Sequence, residues 1–382
     1  MKTDNIILRI DEQEHNIIRL KSELFGIKKS KYIRNACLSY WKDTKDIGIF
    51  KKLSELYKNS DQTNKDLIVD LLFEYYHING FPYYKFTNEE KYKKLEQIKK
   101  TPSPLLDNNE LQINTVGVDL ANSFHPQMMK AGYNNILTPF EAYSDNDKFK
   151  DCIKRWLDLG KTPNIAGIRR ILKTRNGVRS VTNFKPVIAR YIYQTYCPDN
   201  GIVLDPCAGF SGRLLGCIAS NKNIHYYGID PDPETAMGNM NCASFFDYNN
   251  KFTFSLGCAE DIMKNLQGDR YDLVFTSPPY FDLERYGENK NQSYIKYPSY
   301  DEWLHKFLLR LMGESMRIIR KNGKIIINIK NDKKHDIIND LKDCCSHIKL
   351  YSVKRYKMLL PNNEFNRKDS TKHFESIFVF VK

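Results

Sequence analysis

The residues of this chain best suited to chemistry are Thr276-Ser277-Pro278-Pro279-Tyr280, which follow directly on the apolar run Tyr271 to Phe275. Two consecutive prolines fix φ and remove two backbone donors, so a strand stops there and the loop is stiff, with its carbonyls free. Such a loop can accept protons from an amine. Ser277 Oγ and the Pro278 carbonyl can take hydrogen bonds from an exocyclic NH₂ group, turning its lone pair out of conjugation, while the Tyr280 ring, with Phe281 beside it, stacks on the ring that carries the amine.

A second set of residues has types suited to a ligand site. Asp205-Pro206-Cys207-Ala208-Gly209-Phe210-Ser211-Gly212 is a turn in which Gly209 and Gly212 permit close backbone approach, and the helix that follows favours negative charge at its N-terminus. Asp230 ends the run Tyr-Gly-Ile-Asp. Asp261, with Glu260 as its rival, follows the run Phe252 to Leu256, and a helix N-cap is the plainer role for it. Upstream, Asn183-Phe184-Lys185-Pro186 opens a helix.

These residues need a scaffold, and the C-terminal half supplies one. From Ile202 onward, short β-branched runs alternate with helical patterns, which predicts an α/β fold with a doubly wound, mostly parallel, Rossmann-like sheet. Seven strands are expected: 202–205, 225–230, 252–256, 271–275, 324–329, 349–358 and 374–381. Helices are expected over 213–220, 234–246, 301–320 and 334–345, with a polar loop at 361–372. Ligands of such sheets sit outside the carboxyl ends of the strands near the switch point, where the residues named above fall.

The Ser-Pro-Pro-Tyr tetrapeptide resembles the D/N/S-P-P-Y/F/W signature of S-adenosylmethionine-dependent DNA amino-methyltransferases, which make N4-methylcytosine or N6-methyladenine. The resemblance implies that Ser277, Pro278, Pro279 and Tyr280 are catalytic, that S-adenosylmethionine is the cofactor, and that Asp205, Pro206, Gly209, Gly212, Asp230, Asp261, Phe184 and Lys185 bind it, Asp230 at the ribose hydroxyls and Asp261, or its rival Glu260, at the adenine amino group. The serine before Pro-Pro leans towards cytosine N4. The cofactor loop reads Gly-Phe-Ser-Gly where the family has Gly-x-Gly, one residue longer. A nicotinamide enzyme is the nearest competitor, but it has no use for the amine-accepting loop, and the first turn lacks a three-glycine pyrophosphate pattern. RNA as substrate, or a DNA-binding regulator that has lost turnover, are the alternatives.

Residues 5–43 are organised differently: an alternating strand over 5–10, a helix from Glu12 to Phe25, Gly26 as its stop and a second helix from Ser30. Asn5, Ile7 and Arg9 share one strand face, and Gly26 to Arg34 resembles the inter-helix segment of ribbon-helix-helix proteins. That resemblance implies DNA contact through Asn5, Ile7, Arg9, Ser30 and Lys31, and a homodimer. Arg175 and Arg179, around Gly177, are further candidates for phosphate contact. The expected domains are 1–44 as this module, 45–182 as a mainly helical target-recognition or clamping region with a linker at Thr101-Pro102-Ser103-Pro104, and 183–382 as the methyltransferase domain.

Composition bounds the reading. The 59 Lys+Arg against 46 Asp+Glu give a formal charge of +13, which favours a polyanionic partner such as duplex DNA. Nine cysteines without a C-x-x-C and eight histidines at unsuitable spacing predict no metal site. A cytoplasmic protein with no membrane span is expected, in a restriction-modification or phage setting.

Overall fold

The computed structural model describes residues 12–25, 47–175, 177–332, 334–360 and 374–382. Along the chain the N-terminal elements are α1 (Glu12–Phe25), α2 (Ile47–Lys58), α3 (Gln62–Asn79), α4 (Asn88–Lys100), β1 (Glu110–Leu111), α5 (Val118–Ser123), β2 (Gly132–Tyr133), α6 (Pro139–Ser144), α7 (Asn146–Asp158) and α8 (Ile165–Leu172). There follow α9 (Pro186–Tyr196), β3 (Ile202–Asp205), α10 (Gly212–Ile218), β4 (His225–Asp230), α11 (Pro233–Phe245), β5 (Phe252–Leu256), α12 (Ala259–Ile262), β6 (Tyr271–Thr276) and β7 (Glu284–Arg285). The last are α13 (Ser293–Lys296), α14 (Tyr300–Trp303), α15 (Arg310–Ile318), β8 (Ile319–Ile329), α16 (Ile337–His347), β9 (Ser352–Leu359) and β10 (Phe374–Val381). Among the described residues no helix is long and apolar enough to cross a membrane.

The chain divides into two units, Met1–Tyr83 with Ile136–Ser180, and Tyr84–Asn135 with Val181–Lys382. The elements of the first among the described residues are helices. Phe149, Cys152, Ile153 and Trp156 recur at helical spacing on α7 and are buried together with Ile68, Leu72 and Tyr76 of α3. Gly167 of α8 lies so close to the Trp156 indole that a Cβ there would come within 2.3 Å of it. The helix expected over 12–25 is α1, but Asn5, Ile7, Arg9, Ser30 and Lys31 lie outside the described residues.

The second unit is an α/β fold on an eight-stranded sheet of order β1-β9-β10-β8-β6-β3-β4-β5, with β2 and β7 forming a separate antiparallel pair. Strands β8, β6, β3, β4 and β5 are parallel, while β10 runs antiparallel between β8 and β9. The chain leaves β3 outward to β4 and β5, then returns on the other side of β3 as β6, so the switch point lies between the ends of β3 and β6. Every residue of β6 is buried, as a strand covered on both faces requires.

Three expectations change. The region 45–182 is not one piece: 84–135 belongs to the sheet unit, because β1 pairs in parallel with β9, and Leu95, Ile98, Leu111 and Leu120 share a core with Val187, Val203 and Leu214. The expected linker at 101–104 is instead a strap. Buried Arg190 of α9 donates to the carbonyls of Ile98, Lys99 and Thr101, and to Pro102 O at 3.5 Å. The single helix expected over 301–320 is a composite in which a π-helical stretch, Leu304–Leu309, joins α14 to α15, and the chain turns into β8 at Ile319 because that residue already pairs with Tyr271.

Candidate active site

A cavity of about 160 Å³ opens at the ends of β3, β4 and β6, lined by residues of both expected sets. Cys207 N donates to Thr276 Oγ1 at 3.1 Å, tying the glycine turn after β3 to the first residue of the Ser-Pro-Pro loop. Pro206, Gly209, Phe184, Lys185, Asp230, Ser277, Pro278, Pro279 and Tyr280 all line it.

Asp205 does not line it. Its carboxylate is fully buried beneath the turn, where Oδ2 accepts from Arg213 Nε at 2.6 Å and from the Tyr226 hydroxyl at 2.7 Å. It acts through Arg213, which lines the cavity, donates to Cys207 O and lies 5.5 Å from the centre of the Phe184 ring. Gly212 also stands behind the cavity, because a Cβ there would come within 2.3 Å of Phe184 O and 2.5 Å of Asn183 Oδ1. Its lack of a side chain lets the 183–186 segment cross the turn. Lys185 Nζ donates to Asn183 O at 2.9 Å. The extra residue of the turn is absorbed by two left-handed positions, Gly209 (φ 57) and Ser211 (φ 61).

At the end of β4, Asp230 accepts the amide of Gly209 on Oδ2 at 3.0 Å and that of Asp232 on Oδ1 at 3.1 Å. Burial pushes its carboxyl up to about 7 despite these two donors. After β5 the structure favours Glu260 over Asp261. Glu260 is buried, lines the cavity and accepts from Lys296 Nζ at 2.7 Å and the Tyr297 hydroxyl at 2.8 Å. Asp261 does not line the cavity; it is half exposed, and a hydrogen bond from Lys296 holds its carboxyl below the usual range. Nor does it cap a helix, since Cys258 holds the N-cap position of α12.

On the other side of the cavity, Ser277 Oγ lies 3.0 Å from the Tyr280 hydroxyl, and Asn328 Nδ2 donates to both, at 3.0 and 2.7 Å. The same amide reaches Glu375 Oε2 at 3.1 Å, and Glu375 Oε1 pairs with Lys330 at 2.9 Å. Tyr280 is thus held through its hydroxyl, with Lys330 Nζ 5.3 Å from its ring centre. Phe281 does not share its role. With φ at 53° it turns back onto Tyr300, Trp303 and His335 and does not line the cavity.

Arg213, Asn328, Lys330, Glu375, the buried Glu284 and the half-buried Tyr286 bonded to it were not anticipated. One signal was present: Asn328 interrupts the run Ile325-Ile326-Ile327-Asn328-Ile329, where a strand buried on both faces should be apolar throughout. Arg175 and Arg179 belong to the helical unit. Arg175 Nε pairs with Asp151 Oδ2 at 3.0 Å, and the Arg179 amide donates to Leu137 O at 3.2 Å.

The model of the DNA methylase family matches residues 271–382, from β6 to the end of β10. No curated protein matches the sequence. Among solved structures, TrmN from Thermus thermophilus is 12% identical with a TM-score of 0.36, over 52% of this chain and 48% of that one, so the chain spans about half of its length. A putative rRNA-methylase from Clostridium thermocellum is 9% identical with a TM-score of 0.36, over 53% of this chain and 100% of that one. TYW2 of P. horikoshii in complex with MeSAdo is 11% identical with a TM-score of 0.34, over 55% and 69%.

Proposed function

We propose that this protein is a DNA methyltransferase acting on an exocyclic base amine, with cytosine N4 favoured over adenine N6. The observation that carries the reading is the Ser277-Pro278-Pro279-Tyr280 loop lining the same cavity as Asp230 at the switch point of the sheet. The match of residues 271–382 to a DNA methylase family supports it.

S-adenosylmethionine is the cofactor. The residues fit it: each Asp230 oxygen accepts one backbone amide, which leaves acceptor capacity for the two ribose hydroxyls, and Glu260 suits an amino group of the adenine. Phe184, Lys185 and the Pro206 to Phe210 turn would hold the remainder. Bound there, the cofactor supplies an electrophilic methyl group. The protein's own contribution is to make a poor nucleophile attack. The Asn328 amide donates to Ser277 Oγ and fixes it, so that Oγ and the Pro278 carbonyl accept from the base amine and stabilise the positive charge growing on nitrogen. The proton then leaves to solvent. A base inside a duplex must be swung out to reach the loop, and the Tyr280 ring offers the surface beside it.

Residues 1–44 are read as a ribbon-helix-helix module for DNA contact and pairing of two copies, supported by the helix over Glu12–Phe25. Arg175 and Arg179 are read as phosphate contacts of the helical unit. The test is transfer of labelled methyl groups to duplex DNA, transfer RNA and ribosomal RNA, with nucleosides identified by mass spectrometry. N4-methylcytosine in DNA is expected, and Ser277→Ala or Pro278→Ala should lower kcat by ~10²-fold or more. Full activity in both variants, or methylation of RNA alone, overturns the reading.

A further inference from the structure

The longer cofactor turn raises a question of how it is held. Ser211 adopts the left-handed conformation that a side chain disfavours, and yet it is fully buried. Its hydroxyl donates to Asn239 Oδ1 at 3.0 Å and lies 2.6 Å from His125 Nε2. Because the hydroxyl proton is committed to Asn239, the imidazole nitrogen facing it must carry a hydrogen. That leaves His125 Nδ1 as an acceptor, and Gln127 Nε2 stands 3.2 Å away to fill it. Asn239 Nδ2 in turn donates to Gly209 O at 2.7 Å and Thr235 O at 2.9 Å.

The bonds therefore run in one direction, from Gln127 through His125, Ser211 and Asn239 to the Gly209 carbonyl. The Gly209 amide is held separately by Asp230, so both sides of this residue are pinned. His125, Ser211 and Asn239 are each fully buried, which strengthens such a chain and makes a broken link costly. The fold also makes room for it. Gly238 of α11 faces the imidazole, and a Cβ there would come within 2.3 Å of His125 Cε1. Burial drives the His125 imidazole down to about 3, so it stays neutral and the direction of the chain persists at physiological pH.

We infer that His125 is a positioning residue for the cofactor: acting through Ser211 and Asn239, it sets the path of Gly209 and Phe210, and so makes the segment upstream of the sheet part of the cofactor site. The inference rests on the cofactor reading above and goes beyond it, because His125 does not line the cavity.

The test is calorimetric titration of the full-length protein with S-adenosylhomocysteine, with melting temperatures recorded for every variant. Ser211→Gly tolerates the left-handed backbone but removes the hydroxyl. His125→Phe keeps a ring but removes the donor, and His125→Gln restores a donor. Ser211→Gly and His125→Phe should each raise Kd about tenfold, the worth of one buried hydrogen bond. His125→Gln should recover part of that loss. The double variant Ser211→Gly/His125→Phe should bind no worse than the weaker single variant, as links of one chain do. At saturating cofactor, kcat should stay within about twofold, the effect falling on KM. Unchanged Kd in folded Ser211→Gly, or losses that add in the double variant, overturn the inference alone. Absence of binding by the wild-type protein overturns the cofactor reading itself.

Discussion

Asp230 has an unusual charge state for a carboxyl expected to receive ribose hydroxyls. With its carboxyl pushed up to about 7, it holds a proton over a range in which an ordinary aspartate has none. Hydroxyl donors favour the ionised form, so cofactor affinity should rise with pH across the neutral range and then level off, with a proton released on binding below pH 7. Titration with S-adenosylhomocysteine at pH 5.5 to 8.5, in two buffers of different ionisation enthalpy, should show both effects, and Asp230→Asn should abolish them. The sign for stability is opposite. A folded value above the unfolded one gives a contribution present below the ordinary aspartate value of 3.8 and lost as pH rises through about 7, so melting temperature should fall less steeply with pH in Asp230→Asn. At this scale the sequence was legible where chain proximity and motif coincide, as at Ser277 to Tyr280 and Asp230. It was not legible where distant residues meet: Glu375 reaches the Ser277 network only because β10 lies between β8 and β9.

Elements were legible in proportion to their length and regularity. Strands β3 and β6 and the last strand were readable from their apolar runs, since burial on both faces leaves little choice of residue. A two-residue strand such as β1 has no period to detect, and its pairing with β9 spans most of the chain. The π-helical stretch was invisible for another reason. Trp303, Phe307, Leu308 and Leu311 keep a plausible helical spacing, although the wider turn carries Phe307 to the wall of the cavity. The strap at 98–102 gives the prediction of this scale. Arg190→Leu leaves its buried and partly buried carbonyl partners without their donor and should cost about 3 kcal/mol, or roughly 6–12 °C in melting temperature. Scanning calorimetry of the variant checks it, and an unchanged melting temperature would show that the strap holds without the guanidinium.

The sheet unit is assembled from two stretches of chain with part of the helical unit inserted between them. The ends of that insertion are close, because the Arg179 amide donates to Leu137 O at 3.2 Å. Replacing residues 137–179 with a short glycine-serine linker and omitting 1–83 should therefore leave a folded protein that still binds S-adenosylhomocysteine, measured by calorimetry and circular dichroism. An unfolded product would mean that the sheet unit depends on the helical one. The sequence suggests a boundary near 183, where a helix opens ahead of the strand–helix alternation from Ile202, whereas β1 and α5 join the same core from far upstream. This interleaving has a topological consequence. The backbone crosses between the units three times, at 83/84, 135/136 and 180/181, so one proteolytic nick at any crossing still leaves a fragment that carries parts of both. Parting the two units takes all three cuts, and each then consists of two pieces of chain.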